Sequence, residues 1–137
     1  MQFIIITHGK MASGIQSSLN LLIGERHDLH VIDAYLDDSD PEEKIADLVN
    51  VRFKDEKIVI MTDLYGGSVN RIATKYICNR VTVVAGINLV LAMEILFMNE
   101  PSAEEMEDAV KVCRDQMRLI TADSLKADNQ PEEEDFF

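Results

Sequence analysis

The stretch FIIITHG at residues 3–9 places a short, continuous run of mostly β-branched apolar side chains directly before a polar end. An apolar run without alternation is typical of a strand that is buried on both of its faces. Residues 13–23 then carry apolar side chains at helical spacing, and Gly24 is placed to end that helix. The beginning of the chain therefore predicts a buried strand followed by an amphipathic helix.

The same alternation of strand and helix recurs along the chain. Further apolar strands are predicted at residues 29–35, 58–61 and 81–85, with helices beginning near residues 41, 68 and 89. Asp40 is expected to cap the second helix and Ser68 the third, and Ser102 and Glu105 are spaced as a capping box for the last. The sequence therefore predicts an α/β fold whose central, mostly parallel sheet of about four strands is covered by helices on both faces.

The composition is that of a globular domain with a strong acidic charge. The chain has 137 residues, of which 47% are hydrophobic, and its formal net charge is -12. A protein this acidic repels phosphate backbones and anionic lipids, so nucleic-acid binding and membrane-surface binding are both disfavoured. The charge favours a basic partner instead.

The sequence shows no pattern of a targeting or membrane-spanning segment. The first ten residues, MQFIIITHGK, lack the features of a signal peptide. The longest apolar stretch, residues 89–98, includes Glu94 and is half the ~20 residues that a membrane span needs. We therefore expect no direct membrane insertion and a cytoplasmic location.

Charge also divides the chain into two parts. Residues 121–137 contain six acidic residues and one lysine, and they lack the alternating pattern. We expect residues 1–120 to form the domain and residues 121–137 to be an acidic, flexible C-terminal tail. Residues 118–120, Arg-Leu-Ile, could add a short last strand at the domain's end.

Polar residues follow the first and third predicted strands. Because ligands bind beyond the carboxyl ends of the strands in open parallel sheets, His8, Asp63 and Ser68 are expected to converge on one rim. Gly66 and Gly67 precede a helix start, where backbone N–H groups can approach an anion. The serine adds a hydroxyl donor to the same place.

These residues are suited to form a transient phosphohistidine. A neutral imidazole is a nucleophile, and a carboxylate that accepts the proton of one ring nitrogen leaves the lone pair of the other free to attack. The same carboxylate stabilises the positively charged ring that forms afterwards. We therefore assign His8 as the phosphoacceptor and Asp63 as the residue that orients it. The phosphoryl group is expected to be bound by Ser68, Gly66, Gly67 and Gly9.

Two other functions use the same residue types. A Ser-His-Asp hydrolase is disfavoured because Ser68 lacks the G-x-S-x-G elbow. A receiver domain phosphorylated on Asp63 would need acidic residues at positions 7–9 to hold magnesium, and Thr-His-Gly stands there. No P-loop, G-x-G-x-x-G or kinase signature is present, so ATP is not expected as the phosphoryl source. We expect no cofactor and no bound metal.

Three segments of the chain resemble a known family. Residues 4–9 are similar to an opening strand whose histidine is phosphorylated, residues 63–68 (DLYGGS) resemble a D-x-[aromatic]-GGS segment, and residues 85–88 resemble a G-x-N segment. The family is the enzyme IIA component of the bacterial phosphoenolpyruvate-dependent sugar phosphotransferase system, mannose class (mannose, fructose, sorbose and N-acetylgalactosamine type). The resemblance extends over roughly residues 1–120.

The resemblance implies a phosphotransferase that works through a phosphohistidine intermediate. The phosphocarrier protein HPr would donate its phosphoryl group to His8, which would pass it to an enzyme IIB subunit for sugar uptake. Members dimerise through a swapped C-terminal strand, which implies a homodimer with residues 118–120 as the exchanged segment. Tyr65, Leu64 and Met11 are expected to form an apolar docking rim. The alternative is a IIA-like regulatory module or the phosphotransferase subunit of dihydroxyacetone kinase.

Overall fold

Strands and helices alternate along the chain, which confirms the predicted α/β fold. The structure, a computed structural model, describes residues 1–127. The strands are β1 (Gln2–His8), β2 (Leu29–Ala34), β3 (Ile58–Thr62) and β4 (Val81–Ala85). The helices are α1 (Met11–Ile23), α2 (Pro41–Ala46), α3 (Ser68–Thr74), α4 (Leu89–Phe97), α5 (Ala103–Arg114) and α6 (Ala122–Ala127), and a π-helical segment, Asp47–Arg52, continues α2. The four strands are parallel and lie in the order β2-β1-β3-β4.

The two central strands, β1 and β3, are buried on both faces. On one face Phe3 and Ile5 pack with residues of α1, α4 and α5, whereas on the other Ile4 and Ile6 pack with residues of α2 and α3. Each fully buried side chain of this size stabilises the fold by about 1.5–3 kcal/mol. The loops at the carboxyl ends of β1 and β3 are therefore attached to strands whose apolar residues are buried in the core.

Most of the helix starts follow the predicted caps. The Asp40 side chain caps α2, and Ser102 and Glu105 form the capping box of α5. The prediction for Ser68 was wrong, because Gly67 takes the N-cap position and Ser68 is the first residue of α3. The hydroxyl of Ser68 instead lies within hydrogen-bond distance of the side chains of His8 and Tyr35.

The strand order has a switch point between β1 and β3, where successive connections lead to opposite sides of the sheet. The connection through α1 leads from β1 to β2 on one side, and β3 lies on the other side of β1. Ile6 of β1 pairs with Thr62 of β3, so His8 and Asp63 leave the sheet next to each other. In sheets of this kind the ligand site lies at such a switch point.

The C-terminal region adds no strand within the part of the chain that is described. Residues 117–121 have no regular secondary structure, and they are followed by α6, so the first part of the predicted tail is helical. The rest of that tail, residues 128–137, lies outside the described residues. The domain boundary at residue 120 and the strand exchange stay predictions. Within residues 1–127, no helix is both long and apolar enough to cross a membrane.

Candidate active site

The structure brings His8, Asp63 and Ser68 together at the switch point. Asp63 Oδ2 lies 2.8 Å from His8 Nδ1 and also accepts a 2.8 Å hydrogen bond from the His8 backbone N–H. Asp63 Oδ1 accepts a hydrogen bond from the Leu64 backbone N–H. The imidazole is 41% exposed, whereas the carboxylate is only 8% exposed. An anchored carboxylate thus supports an accessible ring.

The hydrogen bonds at Asp63 fix the charge of the carboxyl and the tautomer of the imidazole. Burial opposes ionisation, but the hydrogen bonds from the backbone and ring of His8 and from the Leu64 backbone outweigh it and lower the pKa of Asp63 below its usual value of 3.8. An ionised carboxylate only accepts hydrogen bonds, so Nδ1 of the neutral ring must carry the proton. Nε2 therefore carries the lone pair.

Ser68 and Tyr35 lie beside the second ring nitrogen. Ser68 Oγ is 3.2 Å from His8 Nε2, and the Tyr35 hydroxyl oxygen is 2.9 Å from Ser68 Oγ. The Tyr35 ring lies 5.4 Å from the imidazole, between centroids, with an interplanar angle of 47°. The imidazole is therefore contacted at both nitrogens and along one side.

Three glycines let the surrounding loops approach His8. Gly9 and Gly66 have φ angles of 59° and 78°, a region that favours glycine. A Cβ on Gly67 would lie 3.1 Å from the Leu64 Cβ and 3.8 Å from the imidazole Cε1. Their N–H groups donate to acceptors inside the protein, namely Ala34 O, Asn70 Oδ1 and Leu64 O. Their contribution to the free protein is thus the shape of the loops, and their role in phosphoryl binding stays a prediction.

Asn70 holds the glycine loop, the segment 63–67 between β3 and α3, through its side chain, a role that the sequence analysis did not assign. Its Oδ1 accepts the Gly66 N–H at 3.0 Å, and its Nδ2 donates to Thr62 Oγ1 at 2.8 Å. Both Asn70 and Thr62 are buried. The loop conformation is thereby tied to the end of β3.

The turn after His8 is anchored by side chains of two strands. The buried Thr7 hydroxyl accepts the Ala12 N–H at 2.8 Å. The Asp33 carboxylate of β2 accepts both the backbone N–H and the hydroxyl of Ser13. The start of α1 is capped from the sheet in this way, because Lys10 at the N-cap position makes no side-chain cap.

The predicted docking residues are exposed, and they follow β1 and β3 at the same edge of the sheet as His8. Met11 begins α1, and Leu64 and Tyr65 lie in the loop between β3 and α3. Tyr65 is 91% exposed, which is unusual for an aromatic side chain of a folded domain. These side chains are free to contact another protein.

The chain was compared with models of protein families. Residues 2–113 match the family model EIIA-man, the PTS system fructose IIA component, and the match runs from β1 into α5. This chain belongs to that family. The likeness to the mannose-class IIA components stated above is thereby confirmed.

Solved structures share the IIA fold. The mannose/sorbose specific IIA subunit of the phosphotransferase system from Enterococcus faecalis aligns with a TM-score of 0.76 at 23% identity, over 88% of this chain and 94% of that one. The PTS IIA protein associated with the fucose utilization operon of Streptococcus pneumoniae gives 0.74 at 20%, over 91% and 95%. A proposed phosphoenolpyruvate-dependent sugar phosphotransferase system permease from Klebsiella pneumoniae gives 0.79 at 24%, over 86% and 89%. At these identities the likeness shows the fold.

The site of this IIA component includes Tyr35, which the sequence analysis placed only at the end of the second strand. The signal that could have identified it is the order of the sheet. His8 pairs with Ala34 of the neighbouring strand, so the residue after Ala34 must leave the sheet beside His8. This pairing is known only once β2 is placed next to β1.

Proposed function

We propose that this IIA component is a phosphoryl carrier, which accepts a phosphoryl group on His8 from phospho-HPr and passes it to an enzyme IIB subunit for sugar uptake. The observation that carries the proposal is the 2.8 Å contact of His8 Nδ1 with the ionised Asp63. This contact leaves the Nε2 lone pair on an exposed ring as the nucleophile. Membership of the IIA family supports the same role.

In the proposed step, the Nε2 lone pair attacks the phosphorus atom of the donor protein. The bond between phosphorus and the donor breaks, and its electron pair leaves with the donor. Because Nε2 carries no proton in this tautomer, the step needs no general base. The ring becomes a phosphorylated cation, and the carboxylate of Asp63 stabilises this charge. Attack on the same phosphorus atom by a nucleophile of the IIB subunit would return His8 to its starting state.

Ser68 and the glycine loops would hold the phosphoryl group. The hydroxyl of Ser68 lies 3.2 Å from Nε2 and can donate to a phosphoryl oxygen there. The backbone N–H of Ser68 has no hydrogen-bond acceptor within residues 1–127 and is a second donor at this place. A side chain at position 67 would lie against the imidazole, since its Cβ would be 3.8 Å from His8 Cε1, and glycine leaves this place open.

The surface around His8 would dock HPr and the IIB subunit in turn. The apolar docking rim of Met11, Leu64 and Tyr65 supplies contact area. Acidic residues follow in the loop after Tyr35 and in α2, and the whole chain carries a charge of -12. This charge suits basic partners, since complementary charge mainly raises the rate of association. A carrier that exchanges a phosphoryl group with HPr shares its compartment, and we place it in the cytoplasm.

We also propose a homodimer in which the C-terminal segments are exchanged. Beyond a single bridge between Cys78 and Val81, β4 pairs only with β3 within the described residues. A groove of about 320 Å³ lies along this strand, between β4 and α5. Met117, Leu119 and Ile120 are exposed in the single chain, and a second copy would offer them a partner.

The carrier function is tested by phosphorylation with phosphoenolpyruvate, enzyme I and HPr, followed by the intact mass of the protein. The wild type should gain one phosphoryl group, and His8→Ala should gain none while keeping its fold, because His8 lies at the surface. His27→Ala is the matched control, since His27 is exposed away from the site and should leave labelling unchanged. Labelling of His8→Ala at the wild-type level would contradict the proposal.

A further inference from the structure

Tyr35 has a backbone conformation that is costly for its side chain. It follows the last residue of β2 and has a φ angle of 68°, in the left-handed region that bulky residues rarely adopt. Tyr35 is 51% exposed, so the burial of its apolar surface offsets only part of the free energy lost to this backbone conformation. Strained residues of this kind concentrate at functional sites.

The strained backbone directs the Tyr35 side chain over the catalytic imidazole. Its hydroxyl oxygen lies 2.9 Å from Ser68 Oγ, and its ring lies against that of His8. Ser68 in turn lies 3.2 Å from His8 Nε2. Tyr35 therefore reaches the reactive nitrogen through one intervening hydroxyl group.

The donors and acceptors in this chain of contacts can be assigned. The ionised Asp63 accepts the proton of Nδ1, so Nε2 is an acceptor and Ser68 must donate to it. The single hydroxyl hydrogen of Ser68 is then used, so the Tyr35 hydroxyl must be the donor in its contact with Ser68. The four groups thus form one directed row of hydrogen bonds from Tyr35 to Asp63.

We propose that Tyr35 is a positioning residue for phosphoryl transfer, which holds Ser68 Oγ beside Nε2 through its hydroxyl; this rests on the carrier function proposed above. Once Nε2 is phosphorylated it has no lone pair, and the Ser68 hydrogen is released to donate to a phosphoryl oxygen. The hydrogen bond from Tyr35 keeps Ser68 in place during this change and polarises its hydroxyl toward the phosphoryl group.

The test compares Tyr35→Phe, which keeps the ring and removes the hydroxyl, with the wild type and with Ser68→Ala. Removing one neutral hydrogen bond should lower kcat for transfer from phospho-HPr about three- to tenfold and leave KM unchanged. In a Ser68→Ala background the same substitution should have no further effect on kcat. Tyr76→Phe is the matched control, because its hydroxyl contacts the Glu42 carbonyl away from the site.

A second readout needs no phosphoryl transfer and therefore separates this inference from the carrier function. In the unphosphorylated protein, the ¹⁵N chemical shift of His8 Nε2 should move in the same direction in Tyr35→Phe and Ser68→Ala, and should not move in Tyr76→Phe. A raised KM with unchanged kcat would make Tyr35 a docking residue and overturn the proposal. An unchanged Nε2 shift, or an equal kcat loss with and without Ser68, would also overturn it. Absence of labelling in the wild type, with the Nε2 shifts as expected, would instead remove the carrier function.

Discussion

Asp63 contacts His8 at two points through one oxygen atom, which accepts both the backbone N–H and the ring Nδ1–H. This double contact ties the orientation of the imidazole to the end of β1. A hydrogen bond to a charged group is stronger than one between neutral groups. The carboxylate therefore both directs the ring and favours the cation that phosphorylation would create.

Asp63→Asn should slow phosphoryl transfer to His8 about 10- to 100-fold, by analogy with the loss of a carboxylate that orients a metal-ligating histidine. The amide can still accept a hydrogen bond but cannot offset the charge of the phosphorylated ring. Labelling should still reach completion. Quenched-flow labelling by phospho-HPr measures the rate, with the exposed Asp55→Asn as a control. Equal rates for Asp63→Asn and the wild type would remove this role of the carboxylate.

Asp63 should also make the stability of the protein depend on pH. Its pKa is lowered in the folded protein, so the ionised form is favoured by folding. The resulting stabilisation is present above the unfolded-state pKa of about 4 and is lost as the pH falls through the folded-state pKa. The free energy of unfolding of the wild type should exceed that of Asp63→Asn at pH 5, and the difference should shrink towards pH 3. Urea unfolding at both pH values measures it, and a difference independent of pH would contradict this assignment.

The sequence could predict the residues at the strand ends because the topology alone brings them together. His8 and Asp63 each follow an apolar run after a single threonine, so a parallel sheet fixes their common edge. Tyr35 and Asn70 were missed because their contacts depend on details that the pattern does not contain. To predict the contacts of Tyr35, one must know that β2 pairs with β1 and that the backbone of Tyr35 is left-handed. To predict those of Asn70, one must know where its buried side chain points.

At the level of elements, the loop between β3 and α3 determines how Ser68 and the glycines meet His8. This loop is stabilised by Asn70, which bridges Gly66 and Thr62. Loss of Asn70 would remove the acceptor of the Gly66 N–H and the donor to the buried Thr62 hydroxyl. The loop and the site should therefore respond together to a change at Asn70.

Asn70→Ala should destabilise the protein by about 1–3 kcal/mol, the cost of removing the partner of a buried polar group, here the Thr62 hydroxyl. It should also slow the labelling of His8, because the glycine loop is no longer tied to β3. Chemical denaturation and the labelling rate measure the two effects. Asn20→Ala on the exposed surface of α1 is the control and should change neither. A stable Asn70→Ala variant with the wild-type labelling rate would show that the bridge is dispensable.

The helices and strands were predictable where one local rule determined them. The bounds of β4 and the start of α4 agree with the predictions, and the structure adds that the Asn88 side chain caps α4. Ser68 was predicted to be a cap because serine is a preferred N-cap residue, but its hydroxyl serves His8 instead. The π-helical segment that continues α2 has no sequence signal of this kind. Tertiary contacts decided the case of Ser68.

At the scale of the whole molecule, the outer edge of β4 pairs with no further strand within residues 1–127, apart from the bridge between Cys78 and Val81. An open edge of apolar residues is a template for pairing with another chain. Beyond α5, the apolar side chains of Met117, Leu119 and Ile120 are exposed. If two copies exchange these segments, the edge of β4 gains a strand partner and the exposed apolar side chains are buried.

The full chain should therefore be a dimer in solution, and a variant that ends after Arg114, the last residue of α5, should be a monomer. Sedimentation equilibrium measures both masses. The truncated variant should keep its circular dichroism spectrum, because the sheet and the helices that cover it lie within residues 1–114. A monomeric full chain, or a dimeric truncated one, would contradict the exchange of C-terminal segments.

The chemical position of the phosphoryl group tests the account most directly. The wild-type protein is phosphorylated through enzyme I and HPr, and the group is located by peptide mapping and by ³¹P and ¹⁵N NMR of the intact protein. We expect a single, acid-labile phosphoryl group on Nε2 of His8, with Nδ1 still hydrogen-bonded to Asp63. A folded protein that takes up no phosphoryl group, or carries it on another residue or on Nδ1, would contradict the account.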